Sequence, residues 1–290
     1  PFLGGGIGYF SYDFGRRFET IPNRAVDELE LPDCYFCFYN AVFILDPGGR
    51  IFLSSFDPGV AGAVTREEVL AELLRVTPGC YAGSRIAPFA AAVTAGWGRE
   101  AYLQAVRRVQ EYILAGDVYQ VNLTQRFYAE TGARSPWELY KRLMAINPAP
   151  FAGYLKLGQT AILSASPERF LRVQGRKVET WPIKGTVGRG ATAGEDQARR
   201  RWLLASAKNR AELAMIVDLM RNDLGRVCRP GSIHVQGFPR LESFASVHHL
   251  VATVTGELDD GRSAVELMRA SFLGGSITGA PKIRAMQIID

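Results

Sequence analysis

The sequence predicts an α+β protein built on antiparallel sheet, and three observations carry that reading. Short apolar runs flank turn residues, as in 34–56 around Asp46-Pro47-Gly48-Gly49 and in 169–180 around Gln174-Gly175. Between such hairpins lie segments with apolar residues at three- and four-residue spacing, each preceded by capping residues. Apolar residues make up 47% of 290, yet no run is long enough to cross a bilayer, which excludes a membrane helix and extensive disorder. The length fits one continuous core or two sublobes, here divided as 1–95 and a core of 96–290.

From the start, GGGIGYFSYDF has too many glycines for a helix and reads as a turn feeding a strand. Gly4, Gly6 and Gly8 miss the dinucleotide spacing, and no helix pattern follows. Cys34 and Cys37 fall in an apolar run without a second CxxC, so they read as core thiols and not zinc ligands. Cys80 and Cys228 complete a set too irregular for a disulfide framework, and a reducing cytoplasm is the expected compartment. Thr65 and Glu68 form a capping box opening a helix through Leu73 and Leu74. Residues 78–94, rich in Gly, Ala and Pro, read as a linker. Tyr102, Val106, Val109 and Ile113 then mark a helix ending at Gly116.

In DVYQVNLTQRF the period changes to two, with Tyr119, Val121, Leu123 and Phe127 on one face and Gln120, Asn122, Thr124 and Arg126 on the other. That amide-rich face is either solvated or lines a polar cavity. Ser135-Pro136-x-Glu138 opens another helix, to Ile146. Strands are expected over 151–157, 161–164, 169–173 and 177–180, and one helix over 195–221, apolar nearly all round from Leu213 to Met220 and therefore buried.

The net charge of +5 is scattered, and even Arg199-Arg200-Arg201 sits beside Glu195 and Asp196. No polyanion stripe exists, so nucleic acid is excluded and small anionic ligands fit better. Candidates for chemistry are few. Lys184, in WPIKGTVGRG, is either a solvated hairpin charge or an amine aimed into a pocket. Glu168 follows Ser166-Pro167 at the end of a strand, as a turn acid or a general acid. Glu212 lies inside the apolar helix with Asn209 on the same face, as an ion-pair partner or a Mg²⁺ ligand. His248 and His249 alternate in a strand, so one at most faces a shared pocket. In GGSITGAPK, glycines and hydroxyls precede Pro281 as a helix start, where backbone N–H groups suit a carboxylate; the spacing is not that of a nucleotide loop.

The ordered set DVYQVNLTQRF, SASPERFL, PIKGT, KNRAELAMIVDLMRNDLGRV, VHHLVATVTGEL and GGSITGAPKIRAMQIID resembles the chorismate-utilising enzymes, over essentially the whole chain. The lysine in PIKGT is similar to the aminodeoxychorismate synthase component I branch, where the anthranilate synthase branch carries alanine. The resemblance implies two facing antiparallel sheets with helices outside, lacking here their N- and C-terminal parts. It implies Lys184 as nucleophile at C2 of chorismate, Glu168 as the acid for the leaving C4 hydroxyl, and Glu212 as a Mg²⁺ ligand. His249, Gly185, Thr186, Ser276 and Thr278 would line the substrate pocket. Gln120 stands where water-using relatives carry a base lysine, which favours ammonia, supplied by a glutamine amidotransferase subunit or fused domain.

Asn209 replaces a residue usually acidic in those relatives. They also continue past the equivalent of Asp290 into a segment with a further metal-binding glutamate and with a tyrosine and an arginine for the substrate carboxylates. An excerpt without it is expected to turn over poorly. Anthranilate synthase component I, with Lys184 incidental, and a binding subunit without activity are the competing readings.

Overall fold

The computed structural model describes residues 2–75 and 91–290. Cys80 and most of the 78–94 linker fall outside the described residues. Two compact units emerge, one of Pro1–Phe14 with Asp27–Phe89, the other of Gly15–Val26 with Ala90–Asp290.

In the smaller unit, β1 (Gly5–Phe10) pairs antiparallel with β2 (Cys34–Tyr39), and β3 (Ala41–Leu45) with β4 (Ile51–Ser55). The predicted hairpin turn is fixed by Asp46, whose carboxylate accepts from the Arg50 N–H at 2.8 Å and from its Nε at 2.7 Å. The capping box before α1 (Arg66–Arg75) forms as expected, Glu68 taking the Thr65 N–H at 2.8 Å and Thr65 Oγ1 the Glu68 N–H at 3.2 Å. One expectation fails: Cys34 is exposed and Cys37 half-buried, because β2 belongs to a two-stranded ribbon that cannot bury both of its faces.

The larger unit opens with β5 (Val93–Ala95), α2 (Arg99–Leu114), β6 (Gln120–Val121), β7 (Phe127–Ala129) and α3 (Pro136–Ile146). The long strand expected over 117–127 is therefore wrong. Its backbone bonds go elsewhere: the Tyr119 N–H donates to the Ala280 carbonyl at 2.7 Å and the Asn122 N–H to that of Thr278 at 2.8 Å. The hairpin β8 (Phe151–Leu157) and β9 (Thr160–Ser166) follows, then β10 (Arg169–Gln174), β11 (Lys177–Trp181) and β12 (Ile183–Gly188).

The helix expected over 195–221 is two, α4 (Ala193–Ala205) and α5 (Ala207–Gly225). Ser206 breaks them with extended backbone and caps α5, its hydroxyl accepting from the Asn209 N–H at 3.4 Å. After them come β13 (His234–Ser243), β14 (Val247–Glu257), α6 (Ala264–Ser271), β15 (Gly279–Ala280) and α7 (Lys282–Ile289).

Every strand pairing among the described residues is antiparallel, in keeping with the predicted class. In the five-stranded sheet, β13 runs along one edge of β14 while β11 and β12 share the other, with β10 outside β11. Leu213, Ile216, Val217, Met220 and Leu224 of α5 join Leu250, Ala252 and Val254 of β14 in one core. Each fully buried leucine or isoleucine there contributes about 1.5–3 kcal/mol over an exposed one.

A buried ion pair ties the helices. Lys282 Nζ donates to Asp223 of α5 at 2.6 Å and to the carbonyl of Ser271, the last residue of α6, at 2.8 Å. Burial pushes Asp223 up to about 6 and Lys282 down, and their mutual attraction opposes both shifts. Lys282→Met leaves the Asp223 carboxylate buried without its hydrogen-bonded cation, with only the charge of Arg226 acting on it, so urea unfolding of the full-length protein should show a loss of about 3–5 kcal/mol. Adding Asp223→Leu should recover most of it; no recovery means that packing, and not the pair, holds this junction.

Candidate active site

β12 reaches β14 through Pro182, which has no N–H to give the ladder and whose carbonyl accepts from the Ala252 N–H at 3.2 Å. Lys184 pairs with Leu250, and the register then shifts so that Thr186, not Gly185, faces His249. Gly185 carries this bulge at φ +78°, and a Cβ there would stand 2.9 Å from the Asn209 Cβ. Only glycine meets both demands.

The bulge separates two side chains. Lys184 is half-buried, and its Nζ donates to the Ser276 carbonyl at 3.2 Å. Thr186 Oγ1 lies 2.8 Å from His249 Nδ1. His249 is 8% exposed, its ring packed edge-on against Phe244, and burial holds its imidazole below the ordinary value.

Glu168 completes the group. Its Oε1 accepts from Ser276 Oγ at 2.7 Å and from the Ile183 N–H at 3.3 Å. Burial pushes the carboxyl above the ordinary glutamate range, against the opposing pull of Ser276, the Ile183 N–H and the Lys184 charge. One residue, Ser276, thus holds the acid by its hydroxyl and the amine by its carbonyl. The loop around it sits on α5, and Thr278 Oγ1 turns inward to the Gly274 carbonyl at 3.1 Å.

Gln120 pairs with Ala280 across the β6–β15 ladder, and its Oε1 is buried without a hydrogen-bond partner among the described residues. Of the amide-rich face of DVYQVNLTQRF, Gln120 and Asn122 are half-buried while Thr124 and Arg126 are exposed, as is Tyr119 at 73%. Glu212 stands on α5 one turn beyond Asn209, half-exposed, with Lys208 Nζ at 3.7 Å. Among the described residues no three acidic, histidine or cysteine side chains gather as a metal site.

His248 takes the opposite side of β14, as alternation requires. It is fully buried between Ser243 Oγ at 2.7 Å and Asp196 at 2.9 Å, which clamps α4 to the sheet. The Asp196 carboxyl is held well below the ordinary aspartate range, first by Arg189, then by the Gly190 N–H and His248. Sequence reasoning missed the role of Ser276 as a hub, the partner of Lys282 and the capping by Ser206. A cleft of about 470 Å³ lined by Arg172, Lys177, Glu179, His234 and Glu257 lies elsewhere on the sheet and shares no residue with this group.

Residues 3–290 match the family described as chorismate binding enzyme. The chain is 44% identical over 297 residues to aminodeoxychorismate synthase component 1 of Klebsiella aerogenes, covering all of this chain and 62% of that one. It is 40% identical over 295 residues to anthranilate synthase component 1 of Thermus thermophilus, again over the whole chain and 63% of the relative. The crystal structure of anthranilate synthase component I from Streptococcus pneumoniae superposes with a TM-score of 0.86 at 31% identity, over the whole chain and 65% of that structure. The chain thus spans about three-fifths of the length of the curated relatives it matches.

The raised Glu168 carboxyl makes a signed prediction. A folded-state value above the unfolded one gives stability that is present below the ordinary glutamate value of 4.5 and lost as pH rises through the folded value. Glu168→Gln removes that loss while keeping an oxygen for Ser276 and Ile183. The variant should therefore gain on the wild type in urea unfolding as pH goes from about 4 to about 7. A pH-independent difference would show that the carboxyl is not strained by burial.

Proposed function

The chain belongs to the chorismate binding enzyme family, and from that premise we propose that it is the component I of an aminodeoxychorismate synthase, converting chorismate and ammonia to 4-amino-4-deoxychorismate. What carries the reading is the pairing of an amine and a burial-raised acid on one residue: Lys184 Nζ at 3.2 Å from the Ser276 carbonyl and Glu168 at 2.7 Å from its hydroxyl. The aminodeoxychorismate synthase and anthranilate synthase relatives named above are nearly equal in identity to this chain, at 44% and 40%, so residue chemistry and not overall likeness decides between the two readings.

In this mechanism the Lys184 ammonium first gives a proton to solvent, and the neutral amine attacks C2 of the ring. The ring double bonds shift, the C4–O bond breaks, and the Glu168 carboxyl gives its proton to the departing hydroxyl. A carboxyl raised by burial retains more of its acid form at neutral pH, which suits that role. Ammonia then enters at C4 and expels Lys184 from C2, restoring the amine. Gln120, with a buried Oε1 in want of a donor, and His249, held by Thr186, form the polar walls. A glutamine amidotransferase subunit or fused domain supplies the ammonia, in the cytoplasm, toward para-aminobenzoate and folate.

The fit of Mg²⁺ rests on the donor set. The half-exposed Glu212 carboxylate opposes only a loose pair with Lys208, and Mg²⁺ typically keeps several waters and takes one or two carboxylates with the rest from substrate. Glu212 fits as one such ligand; the neutral Asn209 adds no charge. When bound, the ion would neutralise a substrate carboxylate and polarise the ring attached to it.

The test is product analysis of the full-length protein with chorismate, Mg²⁺ and ammonium. Aminodeoxychorismate is expected from the wild type, and Lys184→Ala should lose it or turn to anthranilate. Glu168→Gln should lower kcat by about 10²–10⁴-fold. Anthranilate and pyruvate from the wild type would instead assign the anthranilate synthase activity and leave Lys184 a bystander.

A further inference from the structure

The Ser276 carbonyl takes a second hydrogen bond, from Asn122 Nδ2 at 3.3 Å, beside that from Lys184 Nζ at 3.2 Å. Asn122 is itself fixed. Its backbone N–H donates to the Thr278 carbonyl at 2.8 Å, and the neighbouring residues Gln120 and Val121 pair with Ala280 and Gly279. The approach of the two segments is close enough that a Cβ on Gly279 would fall 2.1 Å from the Gln120 carbonyl oxygen. Strand β6 and the Ser276 loop therefore move as one piece, and Asn122 is half-buried against it.

We propose that Asn122 is a positioning residue for the Lys184 amine, acting through the Ser276 carbonyl. A peptide oxygen has two lone pairs. With the Asn122 amide on one, Lys184 has a single direction from which to approach the other, which sets the amine at a fixed place relative to the Glu168 carboxyl on the same residue. The amide is also the one polar group of this shape that donates without bringing charge. An aspartate at 122 would have no proton to give at neutral pH, would oppose the carbonyl oxygen, and would stand within reach of the Lys184 charge, drawing it out of place. The inference rests on Lys184 being the nucleophile, as argued above.

That chemistry predicts an order of effects that mere space filling cannot give. In the full-length protein with chorismate and ammonium, Asn122→Asp keeps the side-chain shape yet should be the worst variant, lowering kcat by about tenfold or more, the scale expected for a misplaced reacting group. Asn122→Ala should lose less, and Asn122→His, whose Nδ1–H stands as many bonds from Cα as the asparagine Nδ2, should recover part of the rate. KM for chorismate should stay within about twofold, because Asn122 acts through Ser276 and not on the substrate. A structural role reverses the order, with the isosteric aspartate milder than alanine; that order, or a loss confined to KM, overturns the proposal.

A second readout needs no turnover. Acylation of Lys184 by a small active ester, followed by peptide mass mapping with Lys177 as reference, should slow by roughly threefold or more in Asn122→Asp, because the new carboxylate holds the amine as ammonium. An unchanged rate overturns the positioning role whatever reaction the wild type performs. Failure of the wild type to make aminodeoxychorismate, with the labelling change intact, overturns only the functional assignment.

Discussion

Strand β14 has neither a free edge nor a free face over its first two-thirds, since residues 248–254 are all buried and partners line both sides. Such a strand cannot slip. A one-residue shift would exchange the two faces, bringing His249 to Asp196 and turning His248 toward Thr186, while Leu250, Ala252 and Val254 would leave α5. The register of β14 is thus the condition for everything placed on it. β11 and β12 divide one of its edges, and the chain passes between them at Pro182, a residue suited to the handover because it brings no N–H that the ladder would have to satisfy.

Against that fixed strand, β12 is bent. The bulge at Gly185 interrupts the ladder and imposes a backbone that a residue with a side chain would hold at about 1–3 kcal/mol of strain. The first turn of α5 presses on the same point through Asn209. Burial of Leu213 and Ile216 alone, at about 1.5–3 kcal/mol each, exceeds what the bulge forgoes. The core therefore sets where α5 lies, and the loop of β12 adapts to it. Its adaptation is what sends Lys184 to Ser276 and Thr186 to His249 instead of placing them in simple alternation.

Local rules made much of this visible in the sequence. The capping boxes at Thr65 and Ser135, the Gly175 hairpin and the opposed histidines follow from spacing and side-chain chemistry within a few residues, and they stand where expected. Misreadings arose where partners are distant. Residues 117–127 alternate like a strand, but β6 spends its bonds on residues 278–280, far away in sequence, and keeps only two residues of ladder. Ser206 reads as one polar residue in a helical run, and nothing within a turn of it announces that the chain must redirect there. Cys34 looked like core because apolar neighbours cannot report that a ribbon has two strands. The motif resemblance supplied residues for the site, yet it could not supply the bond between Ser276 and both Glu168 and Lys184, which exists only in three dimensions.

That bond explains how groups from four separate stretches of chain are held together, where the proposed chemistry would need placement to about 0.5 Å. An acid on a turn and an amine on a bulged strand would each have several rotamers if solvated. Referring both to one peptide unit removes the independent freedom, since any motion of Ser276 carries its hydroxyl and its carbonyl together. The unit itself is anchored twice, by the β6–β15 pairing just after it and, a few residues on, by Lys282 buried against Asp223 and the end of α6. An exposed pair of charges in that second place would contribute only about 0–1 kcal/mol. A buried one resists disruption far more strongly, because parting it strands two desolvated charges. The Lys282–Asp223 pair is thus as much a part of the site's geometry as Glu168 and Lys184 themselves.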